Sequence, residues 1–274
     1  MSAADRATLA RIAHRAAEAA AQTLRAHYDS PATLAVQTKA DNTPVTAADL
    51  AAHDAIAAVF AEATPDIPLL SEENVTEVGS RLRRSERFWL VDPLDGTREF
   101  IGRTGEFSVN IALIESGEVT VGVLAVPIRA QLAVGWRDGG AWLHDTHGAP
   151  RRIRARRLAD PTRPTITLSR FHHASDLDTL LARVPGHHPL VRGAGLKWVA
   201  LADGEADLYP RLNTRMCEWD IAAGHLLLEE AGGRFRDGHG QAFRYAQRED
   251  WRVTAFLAQA DRDYDWYTAL QLGA

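Results

Sequence analysis

The sequence predicts a layered protein of mixed class, an α+β lobe closely packed on an α/β lobe, and three observations predict it. Two helical patterns open the chain, the first rich in alanine. Short apolar strand patterns then succeed one another across tight turns, which makes an antiparallel sheet rather than a series of crossovers. Beyond Pro164 strand and helix patterns alternate, as in an α/β unit. The expected division is 1–160 and 161–274, with no low-complexity tether between the lobes.

Each element has a local reason. From about residue 4 to 28, Leu9, Ile12, Ala16, Ala20, Leu24 and Tyr28 recur at three- and four-residue spacing, one face of a helix. After the polar loop Asp41-Asn42-Thr43-Pro44, Thr46 with Asp49 three positions later forms a helix start, and that helix runs to about Ala63. Pro65 and Pro68 break it, and Leu69-Leu70 is a short strand ending at Ser71-Glu72-Glu73. Residues 74–87 are polar, a solvated loop or short helix. Strands are expected at 88–92, 109–114, 119–126 and 131–136, with Ser116-Gly117 as a hairpin turn. The stretch 138–150 reads as a loop and the arginine run 151–157 as a solvated edge. A strand at 165–168, a helix at 175–182, an element at 196–202, a strand at 207–209 and a helix at 221–231 complete the second lobe. Gly232-Gly233 stops the last helix.

Composition narrows the function. The chain has 274 residues, 46% hydrophobic and 24% charged, and a net charge of −5. These values suit an ordinary globular protein and argue against general nucleic-acid binding. One cysteine, Cys217, excludes an internal disulfide framework and suits a reducing compartment. The charged start lacks a signal-peptide pattern, and no apolar run is long enough to span a membrane. A cytoplasmic protein is expected, with peripheral inner-membrane association left open, as a monomer or homodimer. Lys39 and Lys197 are the only lysines among 31 basic residues, which nominates both as places where a compact charge is needed.

The segment Leu-Val-Asp-Pro-Leu-Asp-Gly-Thr-Arg-Glu-Phe (90–100) carries the chemistry. A buried apolar strand delivers Asp92 and Asp95 together, where unpaired charge is expensive. Asp49, Glu72 and Asp220 also lie at element ends. Each has a plain structural reading: Asp49 in a capping box, Asp220 as an N-cap, Glu72 in a surface turn. Clustered carboxylates without His or Cys partners point to Mg²⁺ rather than Zn²⁺, and Mg²⁺ points to phosphate chemistry. The pairs His172-His173, His187-His188 and His144/His147 lack a metal-ligand spacing and read as solvated.

Four stretches, PVTAADLAAH, LLSEEN, FWLVDPLDGTREFIGRTGEFSVNIALI and EWDIAAGHLLLEEAGG, resemble in order the signatures of the inositol monophosphatase superfamily. GLKWVALADGEADLYPR, with Lys197, resembles its 3'(2'),5'-bisphosphate nucleotidase branch. The resemblance runs from about Lys39 to Tyr245 and implies a layered αβαβα sandwich. It also implies a Mg²⁺-dependent, lithium-sensitive phosphatase of sulfur metabolism. That enzyme removes the 3'-phosphate of adenosine 3',5'-bisphosphate by metal-activated water, giving AMP. By this likeness Glu72, Asp92 and the Leu94 carbonyl hold one ion, and Asp92, Asp95 and Asp220 another, with two or three ions in all. Thr97 with Asp49 orients and deprotonates the water. Glu72, Leu94, Asp95, Gly96, Thr97, Lys197 and Asp220 contact the substrate. Ala194-Gly195 stand where that branch usually has two serines, which leaves a broader inositol or sugar phosphatase as the alternative. A catalytically silent binder of phosphate ligands is the remaining one.

Overall fold

Ser2 starts the first helix by a reciprocal cap, its hydroxyl accepting from the Asp5 N–H while Asp5 accepts from the Ser2 N–H. The computed structural model describes residues 2–30, 36–38, 44–145, 148–170, 175–212 and 216–272, so Lys39, His147, His172 and His173 lie outside the described residues. Helix α1 (Ala3–Asp29) buries Leu9, Ala13, Ala16, Ala17, Ala20 and Leu24, and this stripe of small side chains lets it lie close on a sheet. A short antiparallel pair, β1 (Val36–Thr38) and β2 (Pro44–Thr46), leads into α2 (Ala47–Ala63).

Next come β3 (Leu69–Ser71), α3 (Val75–Leu82), β4 (Arg87–Asp95), α4 (Thr97–Ile101), β5 (Ser108–Glu115), β6 (Glu118–Val126), β7 (Gln131–Trp136), β8 (Gly140–His144) and β9 (Arg151–Ile153). The strands form one seven-stranded sheet in sequence order, antiparallel except where β3 runs parallel to β4. Then follow β10 (Thr165–Leu168), α5 (Ser175–Leu181), β11 (His188–Val191), α6 (Leu196–Ala202), β12 (Leu208–Arg211), α7 (Glu218–Glu230), β13 (Arg234–Asp237), β14 (Phe256–Gln259) and α8 (Trp266–Ala269). Their strands make a five-stranded mixed sheet in the order β11-β10-β12-β14-β13.

The layers are those of the expected αβαβα sandwich. Alternation along β4 builds two cores at once: Trp89 and Val91 pack toward α1 and α2, while Phe88 and Leu90 pack toward α6 and α7. That is why this strand is apolar at every position. Helix α7 is buried nearly all round, through Trp219, Ile221, Ala222, Leu226, Leu227 and Leu228, because a sheet covers it on either side. A third core, with Ile166, Leu177, Leu180, Leu208, Trp266 and Leu270, sets α5 and α8 on the far face of the second sheet.

Several elements depart from expectation. The stretch read as a loop after Asp138 contains β8, whose Ala141 and Leu143 are buried. The strand expected to end at Asp92 continues to Asp95. Strands β11, β13 and β14 were not expected; each pairs with a strand distant in sequence or lacks a continuous apolar run. The helix expected from 221 begins at Glu218, so Asp220 is its third residue and not its N-cap. The arginine run does begin as the edge strand β9, with Arg152 and Arg154 exposed, but the other three of its five arginines form ion pairs. Arg151 meets Asp203, Arg156 meets Asp207 and Arg157 meets Asp261 and Asp263, stitching the edge of the first sheet to the second lobe.

Candidate active site

The site grows from a fault in the ladder between β4 and β5. Asp92 pairs with Asn110 and Asp95 with Ser108, so three steps on β4 oppose two on β5. In a regular strand Asp92 and Asp95 would point to opposite faces. The extra residue brings both to the face shared by Ser108 and Asn110. The Leu94 N–H donates to Asp92 Oδ1 at 3.0 Å and holds the bulge in shape. Gly96 then takes φ 90°, and a Cβ there would stand 3.0 Å from the Ala194 Cβ and 3.3 Å from a Glu99 carboxylate oxygen. Only glycine combines that backbone with that crowding. Thr97 follows as the first residue of α4.

Asp49 reaches Thr97 from α2. Its Oδ2 accepts from the Thr46 N–H and the Thr46 hydroxyl, both at 2.7 Å, as in a capping box. Its Oδ1 accepts from the Thr97 hydroxyl at 3.4 Å, and the Leu94 carbonyl accepts from the same hydroxyl at 3.4 Å. Burial pushes the Asp49 carboxyl up to about 6; the Thr46 hydrogen bonds oppose this, and the charges of Glu73 and Glu72 add to it.

Glu72 is brought to the exit of β4 by its N–H, which donates to the Val91 carbonyl at 3.1 Å. Asp220 sits in the first turn of α7, its Oδ2 accepting from the Cys217 N–H at 2.7 Å. The carboxyls of Asp92 and Asp220 both stand well above the usual carboxylate range. Burial is the main cause, with Glu72 and Asp95 repelling each of them. Asp95 is pushed up to about 6 by burial, opposed by the positive charge of Lys197 and the Asn110 amide. The structure therefore gathers every acidic residue that the sequence nominated into one electrostatic cluster.

Lys197 lies beneath that cluster, 5% exposed, donating to the Ala194 carbonyl at 2.8 Å and the Arg192 carbonyl at 3.4 Å. Burial lowers its ammonium to about 8, with Arg211 adding to the fall and Asp95 opposing it. Sequence reasoning missed Arg211, whose buried Nε has no hydrogen-bond partner among the described residues. It also missed Ser108 and Asn110, whose i, i+2 spacing on a strand facing Asp95 was the available signal.

The donors fit a hard divalent cation. They are carboxylates and the Leu94 carbonyl, hard oxygen donors, and the mutual repulsion of the carboxylates favours positive charge among them. Burial pushes the Cys217 thiol far up, and the charge of Asp220 adds to the rise. Among the described residues no three His, Cys, Asp or Glu side chains stand close enough together to hold a metal ion as they are.

The chain is similar to proteins already known. The signature of the inositol monophosphatase family matches residues 5–270. The chain is 40% identical over 230 residues to the 3'(2'),5'-bisphosphate nucleotidase CysQ of Escherichia coli strain K12, covering 84% of this chain and 90% of that protein. Its fold is similar to the crystal structure of CysQ from Bacteroides thetaiotaomicron, with TM-score 0.80 and 32% identity over 93% of this chain and 98% of the other. It is also similar to an inositol monophosphatase from Zymomonas mobilis, with TM-score 0.78 and 26% identity over 99% and 98% of the two chains.

Proposed function

The chain belongs to the inositol monophosphatase family, and on that premise we propose that it is a 3'(2'),5'-bisphosphate nucleotidase. It hydrolyses the 3'-phosphate of adenosine 3',5'-bisphosphate to AMP and phosphate. Two features carry the reading together: the contact between Thr97 and Asp49 beside the carboxylate cluster, and 40% identity to a bisphosphate nucleotidase over most of the chain.

Enzymes of this family depend on metal, generally Mg²⁺, and two or three ions held by Glu72, Asp92, the Leu94 carbonyl, Asp95 and Asp220 would neutralise phosphate charge and acidify the attacking water. The chain's own part is to aim that water and take its proton. Thr97 donates its hydroxyl hydrogen toward Asp49 Oδ1, which leaves an oxygen lone pair to receive a proton from the water. A threonine alone is too weak a base; a carboxyl near 6 behind it is ionised in most molecules at neutral pH and can accept what the hydroxyl passes on. The N-terminus of α7 adds its positive dipole end near Asp220, favouring an anionic substrate. Gly96 is proposed to let the backbone approach the reacting phosphate. Lys197 and Arg211, two cations close enough to repel each other, are proposed to face the non-reacting phosphate.

Phosphate release from adenosine 3',5'-bisphosphate, inositol 1-phosphate and fructose 1,6-bisphosphate tests this directly. The nucleotide should turn over with the highest kcat/KM. Faster turnover of either sugar phosphate would overturn the nucleotidase assignment while leaving the family intact.

A further inference from the structure

A directional chain of hydrogen bonds runs into Asp95 from outside the carboxylate cluster. The Gly195 N–H donates to Ser108 Oγ at 3.0 Å, so the serine's own hydrogen is free to point onward. Its nearer acceptor is Asn110 Oδ1 at 3.0 Å, with Asp95 Oδ2 more distant at 3.4 Å. With its oxygen committed there, Asn110 must turn its amide nitrogen to Asp95 Oδ2, which lies 3.1 Å away. The reversed amide would set one acceptor oxygen against another. Ser108 and Asn110 are 0% and 1% exposed, so bulk solvent has no access to take either partner's place.

The upstream end of this chain is a tightly seated turn. Ala194 has φ 42°, its carbonyl accepts from Lys197, and the Gly193 N–H donates to Glu106 Oε2 at 3.0 Å. A Cβ on Gly195 would stand 2.6 Å from Ser108 Oγ, so the backbone can make this bond only because residue 195 is glycine. The same turn touches the catalytic turn, since Ala194 blocks any side chain at position 96.

We propose that Asn110, oriented by Ser108, is a positioning residue for Asp95: it occupies Oδ2, dedicates Oδ1 to the divalent cation, and ties cation affinity to the seating of residues 193–195. The proposal rests on the reading of Asp95 as a cation ligand. Supporting groups of this kind set the orientation of a metal-ligating side chain, and losing one typically weakens metal affinity roughly 10–100-fold.

The test compares the full chain with Asn110→Leu, Ser108→Ala and the double variant, by Mn²⁺ titration in electron paramagnetic resonance and by the Tm rise on adding Mg²⁺. Asn110→Leu should weaken Mn²⁺ binding roughly 10–100-fold and shrink the Mg²⁺-dependent rise. Ser108→Ala should move both readouts the same way by less. The double variant should be only slightly worse than Asn110→Leu and better than the two losses added, because the serine acts mainly through the asparagine and reaches Asp95 Oδ2 itself only at 3.4 Å. A purely structural role would lower the metal-free Tm and leave Mn²⁺ affinity within about twofold of the parent, and that result overturns the proposal. Should Asn110→Leu fail to fold, Ser108→Ala, which only deletes a hydroxyl, decides by the same two readouts. A parent protein that binds no Mn²⁺ would overturn the ligand reading itself, a distinguishable failure.

Discussion

Thr46→Val separates the capping role of Asp49 from its catalytic one. The substitution keeps the shape of a buried side chain and deletes the hydroxyl that donates to Asp49 Oδ2 at 2.7 Å. A hydrogen bond to a charged group is worth about 1.5–3 kcal/mol, and about 1.4 kcal/mol moves a pKa by one unit. The Thr46 N–H remains at 2.7 Å on the same oxygen, which favours the lower end of that range. Losing a bond to the ionised form raises the pKa, so Asp49 should climb from about 6 to about 7. Its ionised fraction near neutral pH would fall from about nine-tenths to about one-half. The assay is log(kcat/KM) for phosphate release against pH at saturating Mg²⁺. Bound cations lower the acidic limb in parent and variant alike, so the quantity to read is the displacement between them. The limb of Thr46→Val should lie about one unit higher, and the two curves should converge on the alkaline side. Coincident limbs, or a shift to lower pH, would refute Asp49 as the group that takes the proton.

Other perturbations follow from the same geometry. Thr97→Ala should lower kcat about 10²–10⁴-fold and keep the Mg²⁺-dependent Tm rise; loss of that rise would make Thr97 a binding residue instead. Lys197→Ala should raise KM for the bisphosphate more than for a simple monophosphate, whereas equal losses on both substrates would show that Lys197 only supports the 193–195 turn. In EDTA the protein should become less stable as pH rises. Burial pushes Asp49 and Asp95 up to about 6 from the ordinary 3.8, so the folded state holds protons that the unfolded chain has released. The stability this gives is complete below the unfolded value and is lost as pH climbs through about 6. Tm followed by calorimetry should therefore fall across that window without metal and hold steady with Mg²⁺; a flat profile in EDTA would contradict the raised carboxyls.

Much of the layering was legible because it is written in local periods. The alanine stripe of α1 and the hairpin at Ser116-Gly117 depend on neighbours a few residues apart. The continuous apolar run of β4 declared a strand covered on both faces. The rest depends on partners far away in sequence. Strands β13 and β14 are four residues each and are stable only as members of a sheet begun elsewhere. The bulge between Asp92 and Asp95 could not be read from Pro93 or Gly96, because its existence lies in the count of residues on β5. Arg211 was invisible for the same reason: it is not unusual until the fold sets it beside Lys197.

The plain structural reading and the catalytic reading of each carboxylate turn out to be compatible, because a carboxylate has two oxygens. Asp49 gives Oδ2 to its own helix start and Oδ1 to Thr97. Asp220 gives Oδ2 to the Cys217 N–H in the first turn of α7. Asp92 gives Oδ1 to the Leu94 N–H inside the bulge, and Asp95 gives Oδ2 to Asn110 on the next strand. In each case one oxygen is held by the fold, so the rotamer is set before any ligand arrives and the other oxygen is presented without further loss of side-chain entropy. The cost is borne in the metal-free state, where burial and mutual repulsion lift all these carboxyls. On the proposed reading, a cluster that is unstable as anions but already aimed would bind divalent cations with affinity drawn from relief of that repulsion. A cap and a ligand are therefore one design here, and asking which of the two a residue serves is the wrong division.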